Sequence, residues 1–304
     1  KKKFGADRVA AMVPRMESVG KKHNINFSYG GYVGNTLDSH RLIYQAREEG
    51  GSELQDKVVA ITGASSGFGY HFAQVLAQKG AKVVVGARRK EKLEQCVKEI
   101  EQAGGYAKAC ELDVLEKESV SNFLETTIET YGACDVLINN AGVEAGAKTY
   151  QTTEEEDWNY VIDTNLKSAW LASKIYTDLV IKKEFPSGNI IMISSITDSR
   201  TIKGQFSYAV SKGGLTRMTE VMALEAAKFN IRVNALAPGY FLTDLSRLLL
   251  ESPMSEEFKR GIPMRRFGEF PELDGPLLLL ASDASRYMTG SVVVVDGGHI
   301  CSSL

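Results

Sequence analysis

Residues 57–69 read Lys57-Val-Val-Ala-Ile-Thr-Gly-Ala-Ser-Ser-Gly-Phe-Gly69. The first six form a short apolar, β-branched run, the pattern of a strand buried on both faces. Three glycines follow, Gly63, Gly67 and Gly69, and lead into a helical pattern with Phe72, Val75 and Leu76 on one face. Strand, glycine turn and helix in that order is the setting in which such glycines bind a dinucleotide. Gly63 permits the tight turn, Gly67 lets the backbone approach a pyrophosphate, and Gly69 lets helix and strand pack closely. Backbone N–H groups at the helix N-terminus then face the anion. A plain strand–helix turn is the alternative, and the position argues against it.

The next strand, Lys82-Val-Val-Val-Gly-Ala87, runs into Arg88-Arg89-Lys90. Enzymes that use NAD usually place a carboxylate at this strand end to hold the ribose hydroxyls. Here two guanidiniums stand instead, suited to a 2′-phosphate. The expected cofactor is therefore NADP(H), with NAD(H) second. A solvated helix start is the other reading of Arg88 and Arg89, but cations are disfavoured at a helix N-terminus unless an anion accompanies them.

Strands and helices go on alternating. Further apolar runs start at Tyr106, Cys134, Gly188, Ile231 and Ser291, with helical patterns over about 88–103, 116–131, 154–184 and from Tyr208 onward. Seven strands that read as continuous apolar runs between helices predict a doubly wound parallel sheet, Rossmann-like, over residues 56–304. Pro276-Leu-Leu-Leu-Leu-Ala281 is a core helix by length, and no apolar run approaches a membrane span.

The 304 residues are 43% apolar and 24% charged with net charge −2, which suits a soluble α/β protein and gives no reason to expect nucleic acid. Cys96, Cys110, Cys134 and Cys301 lie far apart, as expected of unpaired thiols in a reducing, cytoplasmic setting. His23, His40, His71 and His299 make no metal-ligand spacing, so no metal is expected. Lys1-Lys2-Lys3 is not followed by an apolar stretch, so a signal peptide is not expected.

Residues 1–52 differ in composition: they carry +4, which leaves −6 for the rest. They read as a mostly helical extension, 1–55, with Pro14 breaking a first helix, Thr36 or Asp38 capping a second and Gly50 ending it. Arg15-Met-Glu-Ser-Val-Gly, Asn24-Ile-Asn-Phe and Gly34-Asn-Thr-Leu-Asp-Ser-His-Arg-Leu-Ile resemble a fragment of DsbA-like thioredoxin-fold proteins. The cysteines of that family's redox site are absent, so the block is expected to be a non-catalytic arm.

The segment Ser194–Lys212 carries the chemistry. Tyr208 and Lys212 sit four apart on a helical pattern and so share a face. A lysine ammonium beside a phenol lowers the phenol's pKa from about 10, which suits it to proton transfer. Alone, such a pair arises readily by chance on a surface.

The pieces together resemble the short-chain dehydrogenase/reductase family over about residues 55–304. The resembling motifs are Thr62-Gly-Ala-Ser-Ser-Gly-Phe-Gly69, Asn139-Asn140-Ala141-Gly142, Asn165 in Asp163-Thr-Asn-Leu, and Ser195, Tyr208 and Lys212 in spacing. Pro238-Gly239 with Thr243 completes the set. The resemblance implies a catalytic set of Asn165, Ser195, Tyr208 and Lys212. Tyr208 would be general acid or base, Lys212 would lower its pKa and bond the nicotinamide ribose, and Ser195 would hold the substrate oxygen. Asn165 would hold a water linking Lys212 to solvent. It implies cofactor contacts from Gly63, Ser65, Ser66, Gly67, Phe68, Gly69, Arg88 and Arg89, and from Asp113 and Val114 near adenine. Asn140, Ala141, Gly142, Tyr208, Lys212, Pro238, Gly239, Phe241 and Thr243 complete those contacts. The implied activity is NADP-dependent interconversion of a carbonyl and a secondary alcohol, on a 3-oxoacyl or sugar-like small molecule, in a homotetramer or homodimer. A non-catalytic NADP-binding scaffold and an epimerase or dehydratase are the alternatives.

The chain departs from the family after the serine. Many relatives have glycine there; this chain has Thr197-Asp198-Ser199-Arg200. Either these charges face a polar substrate, or Asp198 and Arg200 pair with each other. Between Tyr240 and Arg266, Leu245, Leu248, Leu249, Leu250, Met254, Phe258 and Met264 form an apolar stripe that fits a substrate lid, core or subunit contact equally.

Overall fold

Apolar side chains cover both faces of the central strands, which is what makes those strands parallel and internal. The computed structural model describes residues 54–244, 246–251 and 255–302. The strands are β1 (Val58–Thr62), β2 (Lys82–Ala87), β3 (Tyr106–Glu111), β4 (Val136–Asn139), β5 (Gly188–Ile193), β6 (Ile231–Pro238) and β7 (Val292–Val295). They form one seven-stranded sheet in the order β3-β2-β1-β4-β5-β6-β7, and every pairing is parallel.

The helices are α1 (Gly67–Gln78), α2 (Lys90–Gln102), α3 (Lys117–Tyr131), α4 (Glu155–Ile162), α5 (Ser168–Lys182), α6 (Phe206–Ala226), α7 (Arg247–Leu250), α8 (Ser255–Gly261) and α9 (Asp274–Ala281). Strand side chains alternate between two cores. Val59, Ile61, Val83, Val85 and Ile138 meet Phe72 and Leu76 of α1, Leu93 of α2 and Leu277 of α9. Ala60, Val84, Leu137, Ile190 and Val233 meet Phe123 and Leu124 of α3, Tyr176 of α5 and Leu215 of α6. The leucine run at 277–280 is the core helix expected, with Leu277 and Leu280 fully buried.

The helical region expected over 154–184 is interrupted. A π-helical turn, Asp163–Lys167, separates α4 from α5, and the Ser168 N–H reaches the Asp163 carbonyl five residues back. Such turns concentrate at functional sites, and this one carries Asn165. The sheet's strand order reverses at β1, which pairs with both β2 and β4. A crevice opens at that reversal, beyond the carboxyl ends of the strands. The extension at 1–52, with its caps at Thr36 or Asp38, lies outside the described residues, as do Leu245 and Met254.

Candidate active site

At the strand reversal the glycine turn meets the loop leaving β4. Gly63 and Gly67 take φ of +67° and +57°, a region that residues with a Cβ rarely adopt. A Cβ on Gly63 would stand 2.7 Å from Ala141 Cα. One on Gly69 would overlap Asn140 Nδ2 and stand 2.7 Å from the Gly63 carbonyl oxygen. Hydrogen bonds tie the two loops together. Thr62 Oγ1 accepts from the N–H groups of Asn140 and Ala141, each at 3.1 Å. Asn140 Nδ2 donates to the carbonyls of Thr62 at 2.9 Å and Gly63 at 3.0 Å. The Asn140 side chain thus braces the cradle.

Between these loops lies a cleft of about 320 Å³. It runs from Gly63, Ser65, Ser66, Gly67 and Phe68, past Arg88, Arg89, Asp113 and Val114, to Asn140, Ala141, Gly142, Thr243, Tyr208 and Lys212. Four expected cofactor residues stand behind its wall. Gly69 packs on the loop below it, Gly239 packs on Asp296, and Pro238 pairs with Val295. Phe241 is buried and meets Phe68 edge-on at 5.6 Å. Sequence reasoning missed Ala87, Leu112, Leu115, Val143, Thr164, Ile193 and Asp244, which also line the cleft. Ala87, Leu112 and Ile193 end strands or follow them directly, so following each strand to its carboxyl end would have found them.

Arg89 lies across the glycine turn. Its Nε and Nη2 donate to Ser65 Oγ at 3.1 and 2.9 Å, and Nη2 donates to Ser66 Oγ at 2.7 Å. Arg88 is exposed beside it and makes no hydrogen bond or ion pair among the described residues. Two serine hydroxyls, one fixed guanidinium and one free one suit a phosphate monoester.

Of the expected catalytic set, Tyr208 and Lys212 line the inner end of the cleft, while Ser195 and Asn165 stand outside its lining. Ser195 follows β5, and its Oγ accepts from the Thr197 N–H at 3.2 Å. Tyr208 keeps some exposure to the cleft, yet loss of hydration at its hydroxyl pushes the phenol up to about 12. The Ser195 side chain beside the hydroxyl acts against that rise, and the Glu144 carboxylate adds to it. The expected lowering by Lys212 is not found. Lys212 is buried, its Nζ donates to the Ile193 carbonyl at 2.8 Å, and it lies 5.6 Å from the centre of the Tyr208 ring. Burial also pulls the lysine itself down to about 8. Tyr208 therefore carries its proton near pH 7.

Asn165 is buried in the π turn with its amide fully engaged. Oδ1 accepts from the Val143 N–H at 2.8 Å, and Nδ2 donates to the Val143 carbonyl at 2.9 Å and to Ser211 Oγ at 3.0 Å. Ser211 Oγ donates in turn to the Tyr208 carbonyl at 2.7 Å. The side chain thus clamps the β4 exit loop to α6.

Asp198 and Arg200 neither pair with each other nor stand free. Asp198 accepts from Thr216 Oγ1 and from Ser199 Oγ, each at 2.6 Å. Arg200 Nη1 donates to the carbonyls of His299 and Ser302, each at 2.8 Å. In the 240–266 segment, Leu250 is buried, Phe258 packs on Tyr240 at 5.4 Å, and Met264 is more than half exposed.

A cleft that takes a dinucleotide lengthwise and ends on a proton-donating tyrosine is the working part of a nicotinamide-dependent oxidoreductase. The family described as enoyl-(acyl carrier protein) reductase matches residues 63–299. The 3-oxoacyl-[acyl-carrier-protein] reductase FabG of Thermotoga maritima is 39% identical over 247 residues, 81% of this chain and 99% of that protein. A short-chain type dehydrogenase/reductase from Mycobacterium marinum has a similar structure, with TM-score 0.78, 33% identity, and coverage of 82% of this chain and 97% of that one. A gluconate 5-dehydrogenase from Burkholderia cenocepacia, solved with NADP and tartrate, has TM-score 0.78, 30% identity, and coverage of 82% and 97%. The chain belongs to the short-chain dehydrogenase/reductase family.

The thioredoxin-like resemblance of residues 1–52 is not borne out by these comparisons. Among the described residues, no helix is long and apolar enough to cross a membrane.

Proposed function

We propose that the chain reduces a ketone or aldehyde to an alcohol with NADPH, and oxidises the alcohol in reverse. The observation that carries this reading is the placing of Tyr208 and Lys212 at the inner end of a cleft that begins at the glycine turn, with Ser195 beside the phenol. The residues present fit NADP. Gly63 and Gly67 leave room where a side chain would intrude on a pyrophosphate, and Arg88 with the Arg89–Ser65–Ser66 cluster suits a 2′-phosphate. The bound nicotinamide supplies the hydride that reaches the carbonyl carbon. Tyr208 Oη gives its proton to the carbonyl oxygen, so one hydride and one proton turn C=O into CH–OH. Ser195 Oγ hydrogen-bonds that oxygen and stabilises its developing charge. Lys212, still mostly protonated at neutral pH, lines the cleft beside Tyr208, where it would bond the nicotinamide ribose. Asn165 acts as a positioning residue through Val143 and Ser211.

The named relatives are reductases and dehydrogenases, which gives the non-catalytic and the epimerase or dehydratase readings no support. Their names offer two substrate classes, 3-oxoacyl thioesters and sugar acids. Trp170 of α5 and Val210, Val221 and Leu224 of α6 are exposed, which supports self-association as a homodimer or homotetramer. The unpaired cysteines support a reducing, cytoplasmic compartment. Residues 1–55 are taken as a non-catalytic extension and 56–304 as the catalytic domain. The test is NADPH consumption against a panel of carbonyl compounds. Turnover is expected from the native chain, and full turnover by Tyr208→Phe would overturn the mechanism.

A further inference from the structure

Tyr208, Lys212 and Thr216 are spaced four apart on α6 and therefore share one helix face. Each meets a partner at the end of β5 or in the turn after it. Tyr208 has the Ser195 side chain beside its hydroxyl. Lys212 Nζ donates to the Ile193 carbonyl, and the Lys212 carbonyl accepts from Ser194 Oγ at 3.3 Å. Thr216 Oγ1 donates to Asp198 Oδ2 at 2.6 Å and lies 2.8 Å from Ser194 Oγ. The single Thr216 proton is committed to Asp198, so Ser194 Oγ is the donor in the second contact. The result is a chain from Ser194 through Thr216 to Asp198. It starts at a residue that lines the cleft and ends on a carboxylate. Hydrogen bonds to a carboxylate are stronger than neutral ones, and linked bonds reinforce one another.

Ser195 stands between the two ends of this chain. Ser194 before it and Asp198 after it are both tied to the same Thr216 hydroxyl. The turn between them is closed on itself. Ser195 Oγ accepts from the Thr197 N–H at 3.2 Å, and the Asp198 N–H donates to the Ser195 carbonyl at 3.1 Å. With both flanks pinned to one point of α6, about two helical turns along from Tyr208, the placing of Ser195 against the phenol is set by the helix itself. Neither Asp198 nor Thr216 lines the cleft. Whatever they contribute to the reaction therefore passes through the residues they hold. Both are half-buried, so either one is open to rehydration when its partner is removed.

We propose that Thr216 and Asp198 are positioning residues for the reaction: through Ser194 and the turn they close, they hold Ser195 in register with Tyr208. This rests on the reductase reading above. The experiment takes the best substrate from a carbonyl panel that includes acetoacetyl-CoA, 5-ketogluconate and butanone. It measures kcat and KM for the native chain, Thr216→Val, Thr216→Ser and Asp198→Ala, and for Ser195→Ala with and without Thr216→Val. Thr216→Val and Asp198→Ala should each lower kcat and kcat/KM alike by about 10- to 100-fold, the effect of a small misplacement near the reacting atoms. NADPH affinity by fluorescence titration should stay within about twofold. Thr216→Ser keeps the hydroxyl and should restore kcat to within about twofold of native. In the Ser195→Ala background Thr216→Val should lower the rate no further, because residues that act through one group are not additive. A native kcat in Thr216→Val and Asp198→Ala, with only the denaturation midpoint lowered, overturns the inference and leaves the reductase reading intact. So does a Thr216→Val loss as large without the serine as with it, which would move the effect to Lys212. Where Ser195→Ala is too slow to compare, the kcat loss and its rescue by Thr216→Ser decide. If one variant fails to bind NADPH, the other decides. NADPH binding by the native chain without turnover of any carbonyl overturns the reductase reading and this inference with it.

Discussion

The glycine end and the serine–tyrosine end of the cleft are held in different ways. At the glycine end, backbone meets backbone. Gly63 and Gly69 leave no space for a Cβ, and Thr62 and Asn140 join the two loops with four hydrogen bonds. At the other end, side chains such as Tyr208 and Lys212 define the walls. The charged residues there, Asp198 and Arg200, are occupied in holding the loop to α6 and to residues 299–302. The binding end owes its shape to close backbone approach and the absence of side chains. The other end owes its form to side chains held by hydrogen bonds from distant parts of the chain.

The largest effect should come from removing the proton donor. Tyr208→Phe is expected to lower kcat by about 10²–10⁴-fold, the range of general acid catalysis. NADPH affinity by fluorescence titration should barely change, because the glycine end is untouched. If affinity fell as much as kcat, the two ends would not be separable. Next, Arg88→Ala or Arg89→Ala should raise KM for NADPH about 10–100-fold, the worth of a charge-assisted contact. KM for NADH should change far less. Equal shifts for both cofactors would remove the 2′-phosphate from this place.

Gly69→Ala tests the backbone argument directly. The new methyl would overlap Asn140 Nδ2, so a loss of about 1–3 kcal/mol in chemical denaturation is expected. Unchanged stability would mean the two loops can part more readily than their geometry implies. The smallest effect is on pH. Lys212 is lowered to about 8 in the folded chain, so its charge is present below that pH and lost above it. Carbonyl reduction should fall about tenfold from pH 7 to pH 9, following the protonated fraction of a single group. A rate flat to pH 10 would mean that the lysine's charge does not support turnover.

Local patterns in the chain carried the glycine end. The run Val58–Thr62, the glycines after it and the guanidiniums at 88 and 89 are neighbours in sequence, so their meaning needed no tertiary knowledge. Tyr208 and Lys212 were legible for the same reason, as neighbours on one helix face. The direction of Tyr208's shift was not, because it is set first by how far the fold takes the hydroxyl out of water, while the lysine amine is turned to the Ile193 carbonyl, 19 residues away. Asp198 and Arg200 were misread because their partners stand 18 and 99 residues off. The stripe at 240–266 stayed ambiguous because apolar periodicity reports a buried face and not what buries it.

The π turn at Asp163–Lys167 sets how much change in length the chain tolerates. Each helical residue advances the facing by about 100°, so the one residue gained in a wide turn shifts the angular phase of all of α5 relative to α4. That phase lets Asn165 face the β4 exit loop while Tyr176, farther along, accepts from the Asn189 N–H at 3.1 Å and donates to the Cys134 carbonyl at 3.1 Å. Deleting a single residue from 163–167 would restore an ordinary helix and rotate Tyr176 out of the core by more than a quarter turn. Substitutions are tolerable across much of this rod's outer face, but a gap of one residue inside it is not.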